Sequence, residues 1–336
     1  MTFPFNTYLV AVISGCVTTL ISGFFWKGWC LRRGLVDAPG PRKIHYEPIP
    51  LAGGLALITG LLVPIALGSF VLFSYLGNSY LLVDNQSGTS AVGLLQYGLN
   101  RRAVELTAIL AGAIGILIVG FWDDLHELRP RTKFFGQLCV AILVAASGVR
   151  ITLFVHYVWF HYLITVVWIL TLINAFNFMD NMNGLCAGLA AIASLYFGLI
   201  AAAEGQYLVG LIAFLTFGAL LGFLPANFPR ARMFLGDAGS HLLGYMMAVL
   251  AILPHFYTQR HPRPWAVIIP LLVLALPLGD LVWVVLLRAR MGKPFYEGDT
   301  NHLSHRLVRA GLSPVRAVFL IWLSSGVTGA VALLVR

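Results

Sequence analysis

Charge is what this sequence has least of. Only 10% of its 336 residues are Asp, Glu, Lys or Arg, the acids number 13, and 59% of the chain is hydrophobic. A soluble domain carries about 25% charged residues, so a water-facing globular fold is excluded and a polytopic membrane protein is implied. Cysteine is also sparse: Cys16, Cys30, Cys139 and Cys186 are scattered, with no Cys-x-x-Cys pair for zinc or redox chemistry. Internal repeats and low-complexity tracts are missing, so the inverted halves of many transporters leave no trace. The net charge of +9 does not point to nucleic acid, because the bases sit in short loops rather than in a stripe or an arm.

What is present is a series of apolar runs. A bilayer core about 30 Å thick needs about 20 apolar residues per helix. Runs of that kind fall at 5–26, 51–73, 103–121, 133–149, 157–175, 184–203, 207–225, 238–255, 265–287 and 314–335. The expected fold is an all-α bundle of about ten transmembrane helices, forming one integral membrane domain over residues 1–336. The first run lacks the basic n-region and cleavage site of a signal peptide, and Lys27, Arg32 and Arg33 follow it. It is expected to remain as the first helix, with its N-terminus outside.

Alternating the spans from that start puts 16 of the 22 bases in cytoplasmic loops, in line with the positive-inside rule, and both termini outside. The same alternation places Asp123, Asp124, Asp180, Asp237 and Asp299 on the cytoplasmic face, although acids played no part in choosing it. In a chain this short of acid, carboxylates gathered on one side imply a divalent cation and a phosphorylated substrate.

Each acidic station carries its own chemistry. Asp123 and Asp124 are adjacent, and two carboxylates about 4 Å apart repel by about 4 kcal/mol at an effective dielectric near 20, so a cation should relieve them. Magnesium suits that task because it prefers oxygen ligands and shares its shell with substrate phosphates; a solvated helix end paired with Arg129 or Arg131 is the bland alternative. Asn174, Asn177, Asp180, Asn181 and Asn183 crowd into NAFNFMDNMN. The first three are spaced three apart and share a helix face, able to ligate a hard cation or hydrogen-bond a base or sugar, or simply to cap helices.

Asp237 stands between Gly236 and Gly239, where free helix amides favour anions; the alternative is an ordinary N-cap. His302, His305 and Arg306 follow Asp299 and offer phosphate donors, against a merely solvated basic loop. Asp280 falls inside the ninth span, where a charge must face the bundle or water, and it reads as part of a polar network.

Taken together, these motifs resemble the polyprenyl-phosphate N-acetylhexosamine-1-phosphate transferases, within glycosyltransferase family 4. The resemblance runs in order through GLVDAPGPRKIHYEPIPLAGG (34–54), FWDDLHEL, NAFNFMDNMNGL, FLPANFPRARMFLGDAGS and DTNHLSHRL. It implies transfer of a sugar 1-phosphate from a UDP-sugar to undecaprenyl phosphate or a similar lipid in a bacterial-type inner membrane, with release of UMP. The implied cofactor is Mg2+, with Mn2+ as the alternative, and a homodimer is one implied arrangement.

By position, the resemblance makes Asp123 and Asp124 candidates for base, nucleophile or acceptor positioning. Lys133 corresponds to a phosphate holder, and Asn174, Asn177 and Asp180 to an Asn-x-x-Asn-x-x-Asp element. Asn177 and Asp237 become the metal ligands, Asn227 and Phe234 nucleoside contacts, and His302, His305 and Arg306 the loop over the diphosphate and sugar. His45, Gly53 and Gly54 belong to the first cytoplasmic loop, with no defined role.

Two departures stand out. Asn183 replaces an Asp, so it can hydrogen-bond a uridine but cannot act as a base, and Ser304 replaces a His. Glu127 occupies the place of a Lys expected in the peptidoglycan branch, which favours the GlcNAc-transferring or diverse-sugar branch. Two rival readings remain: a cation-coupled transporter, which would need mid-span acids and broken helices, and a non-catalytic nucleotide-sugar-binding paralogue.

Overall fold

The computed structural model describes residues 3–39, 47–79, 98–153, 155–254, 256, 264–294 and 299–336. Helix α1 (Phe5–Arg33) ends with Arg32 and Arg33 in its last turn and Gly34 at a φ of 71°. Cations suit the negative end of a helix, and glycine takes the left-handed cap at no steric cost. Strand β1 (Val36–Asp37) pairs antiparallel with β2 (Ile49–Pro50), and α2 (Gly53–Ser79) follows. Next come α3 (Ala103–His126), α4 (Pro130–Ala146), α5 (Val158–Met179), α6 (Leu185–Ala203), α7 (Tyr207–Asn227) and α8 (Gly236–Ile252). A 3-10 turn (Pro264–Ile268), α9 (Ile269–Val273), α10 (Ala275–Arg290), α11 (Leu303–Arg309) and α12 (Pro314–Val335) complete the chain.

Helix α8 is the pillar of the bundle. From Ala238 to Ala251 every residue is buried, and α2, α3, α5 and α6 pack around it. A helix apolar all round can be satisfied only by such enclosure. Close approach is secured by small residues: a Cβ on Gly54 would meet Gly239 N at 2.6 Å, and one on Gly120 would strike the Asp237 carbonyl. Outside this centre, α1 packs on α2 and α7, and α12 on α6 and α9. Exposed Phe24, Phe25, Phe70, Phe135 and Leu334 cover the outer surface, as expected of helices that face lipid.

The all-α membrane architecture is as expected, and the described helices refine the expected spans. Seven are long and apolar enough to cross a membrane. The run at 265–287 is no straight rod: Pro264–Val273 and Ala275–Arg290 meet at 76°, an eighth span if taken together. Pro270 opens α9 and Pro277 falls in the first turn of α10, positions where proline starts helices but does not continue them. The runs at 133–149 and 238–255 become helices of 17 residues, the lower limit for a span. His45 and most of the loop expected between the second and third spans lie outside the described residues.

Candidate active site

The site is assembled at the amino end of α8. Gly236 has a φ of 69°, and a Cβ there would meet Asp124 Oδ2 at 2.6 Å, so conformation and space both demand glycine. Asp124, at the far end of α3, accepts the Asp237 amide at 2.7 Å on Oδ1 and the Ala238 amide at 3.1 Å on Oδ2. These amides lack partners within their own helix and carry its positive pole, so a carboxylate belongs there. Asp237 is therefore not the cap of its helix; Asp124 caps it from another.

Asp123 faces a different partner. It is only 7% exposed, accepts the Leu128 amide at 2.8 Å on Oδ1, and has Lys133 Nζ 2.6 Å from Oδ2. Lys133 Nζ also lies 3.2 Å from Asp237 Oδ1. One ammonium from α4 thus bridges carboxylates of α3 and α8. The repulsion expected within the Asp123-Asp124 pair is resolved by splitting it, one carboxylate to helix amides and one to Lys133.

Helix α5 closes the group. Asn177 Nδ2 donates to Asp237 Oδ1 and, at 3.0 Å, to Ser240 Oγ. Asn174, one turn earlier, points elsewhere: its Nδ2 donates to Gln137 Oε1 at 2.9 Å, and Gln137 Nε2 lies 3.3 Å from His241 Nε2. A buried polar row thereby ties α4, α5 and α8 together. Asp180 follows α5 on an exposed turn. Crowding by surrounding protein, then the charges of Asp237 and Asp124, pushes its carboxyl up to about 8, a rise trimmed by the solvent that reaches it.

A second cluster gathers around α11. His302 is 5% exposed, its Nδ1 lies 2.6 Å from Asp280 Oδ2, and its ring meets Phe178 with centroids 5.6 Å apart. Arg288, 1% exposed, donates through Nε to Asp299 Oδ2 at 2.8 Å and stacks over the Phe178 ring at 4.9 Å. Burial acts to raise the Asp299 carboxyl, but bonds from Arg288 and the Asn301 amide outweigh it and leave it below the usual range. His305 is held below the ordinary histidine value by burial, then by His302 and Arg309. Ser304 Oγ donates to Asn181 Oδ1 at 2.6 Å, fastening α11 to the turn after α5. The end of α5 is the seam, with Asn177 in the first cluster and Phe178 and Asn181 in the second.

Some expected residues stand apart. Asn227 is buried, accepts the Gly184 amide at 2.7 Å and donates to the Met233 carbonyl at 2.9 Å, so both ends of its amide serve the backbone. Asn183 donates to the Pro229 carbonyl at 3.3 Å. Arg306 is exposed and stacks on Trp283 at 4.5 Å. Phe234, half-buried, pairs through its backbone with Pro50 and Gly53.

Sequence reasoning missed Arg288, Gln137, Ser240 and the Ser304–Asn181 bond. Arg288 and Arg290 share the last turn of α10, yet the first is buried and the second exposed, and no local signal separates them.

The donors near Asp237 are hard oxygens, and the Asn177 amide can present its oxygen by turning over. Among the described residues no group of three or more His, Cys, Asp and Glu side chains stands ready as a metal cage. That set fits a magnesium-like ion, which takes one or two carboxylates and completes its shell with water and phosphate, and does not fit zinc.

A family model described as glycosyl transferase family 4 matches residues 106–255, the stretch that holds Asp123, Asp124, Lys133, Asn177 and Asp237. A Bacillus subtilis (strain 168) protein named "Probable undecaprenyl-phosphate N-acetylglucosaminyl 1-phosphate transferase" is 30% identical over 323 residues, covering 94% of this chain and 81% of that protein. The chain belongs to glycosyl transferase family 4. Other relatives of this family 4 chain include the decaprenyl-phosphate N-acetylglucosaminephosphotransferase of Mycobacterium tuberculosis (strain ATCC 25618 / H37Rv), 32% identical over 324 residues, with 88% of this chain and 74% of that protein covered. The undecaprenyl-phosphate alpha-N-acetylglucosaminyl 1-phosphate transferase of Escherichia coli (strain K12) is 26% identical over 337 residues, covering 96% and 82%. The family 4 match stops before α10 and α11, so of the His302 cluster it holds Phe178 and Asn181 but not Asp280, Arg288, Asp299, His302 or Ser304.

Proposed function

We propose that this family 4 chain transfers N-acetylhexosamine 1-phosphate from a UDP-sugar to undecaprenyl phosphate or a similar polyprenyl phosphate, giving the polyprenyl-diphospho-sugar and UMP. The observation that carries the reading is the meeting of Asp123, Lys133, Asn177 and Asp237, from four separate helices, at the amino end of α8. The basic loops support a cytoplasmic site with both termini outside in a plasma membrane, and the ten apolar runs of the sequence support ten spans in one domain.

Asn177 and Asp237 would hold Mg2+ or Mn2+, which supplies neutralisation of the donor diphosphate when bound. Lys133, already placed between two carboxylates, meets the transferred phosphoryl group, and His302, His305 and Arg306 answer charge on the diphosphate and sugar. Asp123 orients the acceptor phosphate, while Asp124 keeps the α8 amides and Asp237 in place. Asp180, Asn183 and Phe234 border the donor at the mouth, and Asn174 and Asn227 hold the walls. Phosphoryl transfer needs chiefly such positioning and electrostatics.

The transporter reading finds a broken helix here, but the acid in it, Asp280, has both oxygens engaged, by His302 and the Leu303 amide. The test is release of UMP by purified protein given Mg2+, undecaprenyl phosphate and a panel of UDP-sugars. Turnover that stops with EDTA, returns with Mg2+ or Mn2+ and is abolished by Asp237→Ala is expected. Full activity of Asp237→Ala would overturn the site, and silence towards every donor would favour the non-catalytic paralogue.

A further inference from the structure

Asp280 is a carboxylate within an apolar run, only 5% exposed. An ionisable group in such a place is costly unless its partners are fixed, and here they are. Oδ2 lies 2.6 Å from His302 Nδ1, and Oδ1 accepts the Leu303 amide at 2.6 Å, the first residue of α11. Both oxygens of one buried side chain therefore serve two consecutive residues of the loop that carries the histidines.

The geometry also selects the tautomer of His302. A carboxylate accepts and does not donate, so Nδ1 carries the hydrogen shared with Asp280. Nε2 is left as the nitrogen available to a ligand. Packing keeps the ring in this attitude: Phe178 meets one side of it, and the His305 ring stands 6.4 Å away. A second anchor, the Ser304–Asn181 bond, restrains α11 without touching the imidazole. Rotation of the ring thus depends on Asp280, whereas placement of the helix is shared.

We infer that Asp280 is a positioning residue of the transfer reaction, orienting His302 so that Nε2 faces the phosphorylated substrate. This rests on the transferase reading above. A histidine whose Nδ1 is bound by a carboxylate acts with fixed direction, and where such a histidine ligates a metal the loss of that partner costs about 10- to 100-fold in affinity or activity, the scale taken here for His302. Asp280→Asn keeps the shape and an acceptor for the Leu303 amide but brings an N–H group towards Nδ1, which favours the opposite tautomer.

The experiment measures UMP release, donor KM and thermal unfolding for the wild type, Asp280→Asn and Asp280→Glu, with 15N spectra of His302 in bilayers assigned by loss in His302→Gln. For Asp280→Asn, kcat is expected to fall about 10- to 100-fold. Donor KM should stay within about threefold and unfolding near wild type. Asp280→Glu should recover part of kcat, and the wild-type spectrum should show hydrogen on Nδ1. An unchanged kcat in Asp280→Asn, a Nδ1 without hydrogen in the wild type, or equal loss in both variants together with loss of folded protein would overturn the inference. Absence of turnover in the wild type itself would instead count against the transferase reading, and the tautomer measurement would still decide the pairing.

Discussion

Asp124 closes the amino end of the helix that carries Asp237, its two oxygens 2.7 and 3.1 Å from the Asp237 and Ala238 amides. The carboxylate that resembles a catalytic acid in sequence is, in space, the cap of its neighbour's helix. Loss of a cap costs about 1 kcal/mol, and a buried amide left without a partner costs more. Asp124→Ala is expected to lower stability by about 1–2 kcal/mol along with activity. Asp124→Asn, which keeps one acceptor, should recover most of the stability; denaturant unfolding of both variants checks this.

Lys133 separates Asp123 from Asp237, and no other base is placed between them among the described residues. Lys133→Met should leave both carboxylates without their shared cation and cut kcat by about 10²- to 10³-fold, the scale of losing a charge-stabilising donor. Lys133→Arg should restore little, because a planar fork does not replace a compact ammonium held between two oxygens. Steady-state UMP release with saturating donor separates the two.

Surrounding protein and the charges of Asp237 and Asp124 hold the Asp180 carboxyl above its unfolded value. The folded state therefore binds more protons between the unfolded and folded values, and stability falls as pH rises through that window. Asp180→Asn removes the penalty. Its unfolding temperature should exceed that of the wild type by more at pH 8 than at pH 5, and a difference independent of pH would contradict the placement of Asp180 near Asp237 and Asp124.

Ser304 stands where the resembled pattern has histidine; it is fully buried, and its bond to half-buried Asn181 is short. Ser304→Ala should weaken donor binding several-fold and cost about 1 kcal/mol of stability, since Asn181 Oδ1 loses its donor. Ser304→Thr, which keeps the hydroxyl, is expected to retain more of the affinity than Ala. Isothermal titration with UDP-sugar reads the effect directly.

The helices were legible wherever hydropathy alone decides, as at 184–203 and 207–225, which the structure matches within two residues as Leu185–Ala203 and Tyr207–Asn227. The bend near Leu274 was not, because a window average sees Pro270 and Pro277 only as apolar residues. In the site, Asp123, Lys133, Asn177 and Asp237 were legible as chemistry, and their meeting followed from one-sided topology. The cap from Asp124 was hidden because a partner 113 positions away leaves no local pattern. Asn227 shows the converse difficulty: an amide that holds a turn together reads in sequence just like one that recognises a ligand.

The seclusion of α8 separates the frame of the site from the outer surface of the bundle. The outer helices present the exposed apolar side chains, while Asp237 stands at the partly exposed head of a column that is enclosed from Ala238 to Ala251. A thicker or thinner host bilayer would tilt α1 and α12 first, and the central column would feel it only through a second layer of packing. The reaction centre should therefore tolerate transplantation between membranes of different lipid make-up.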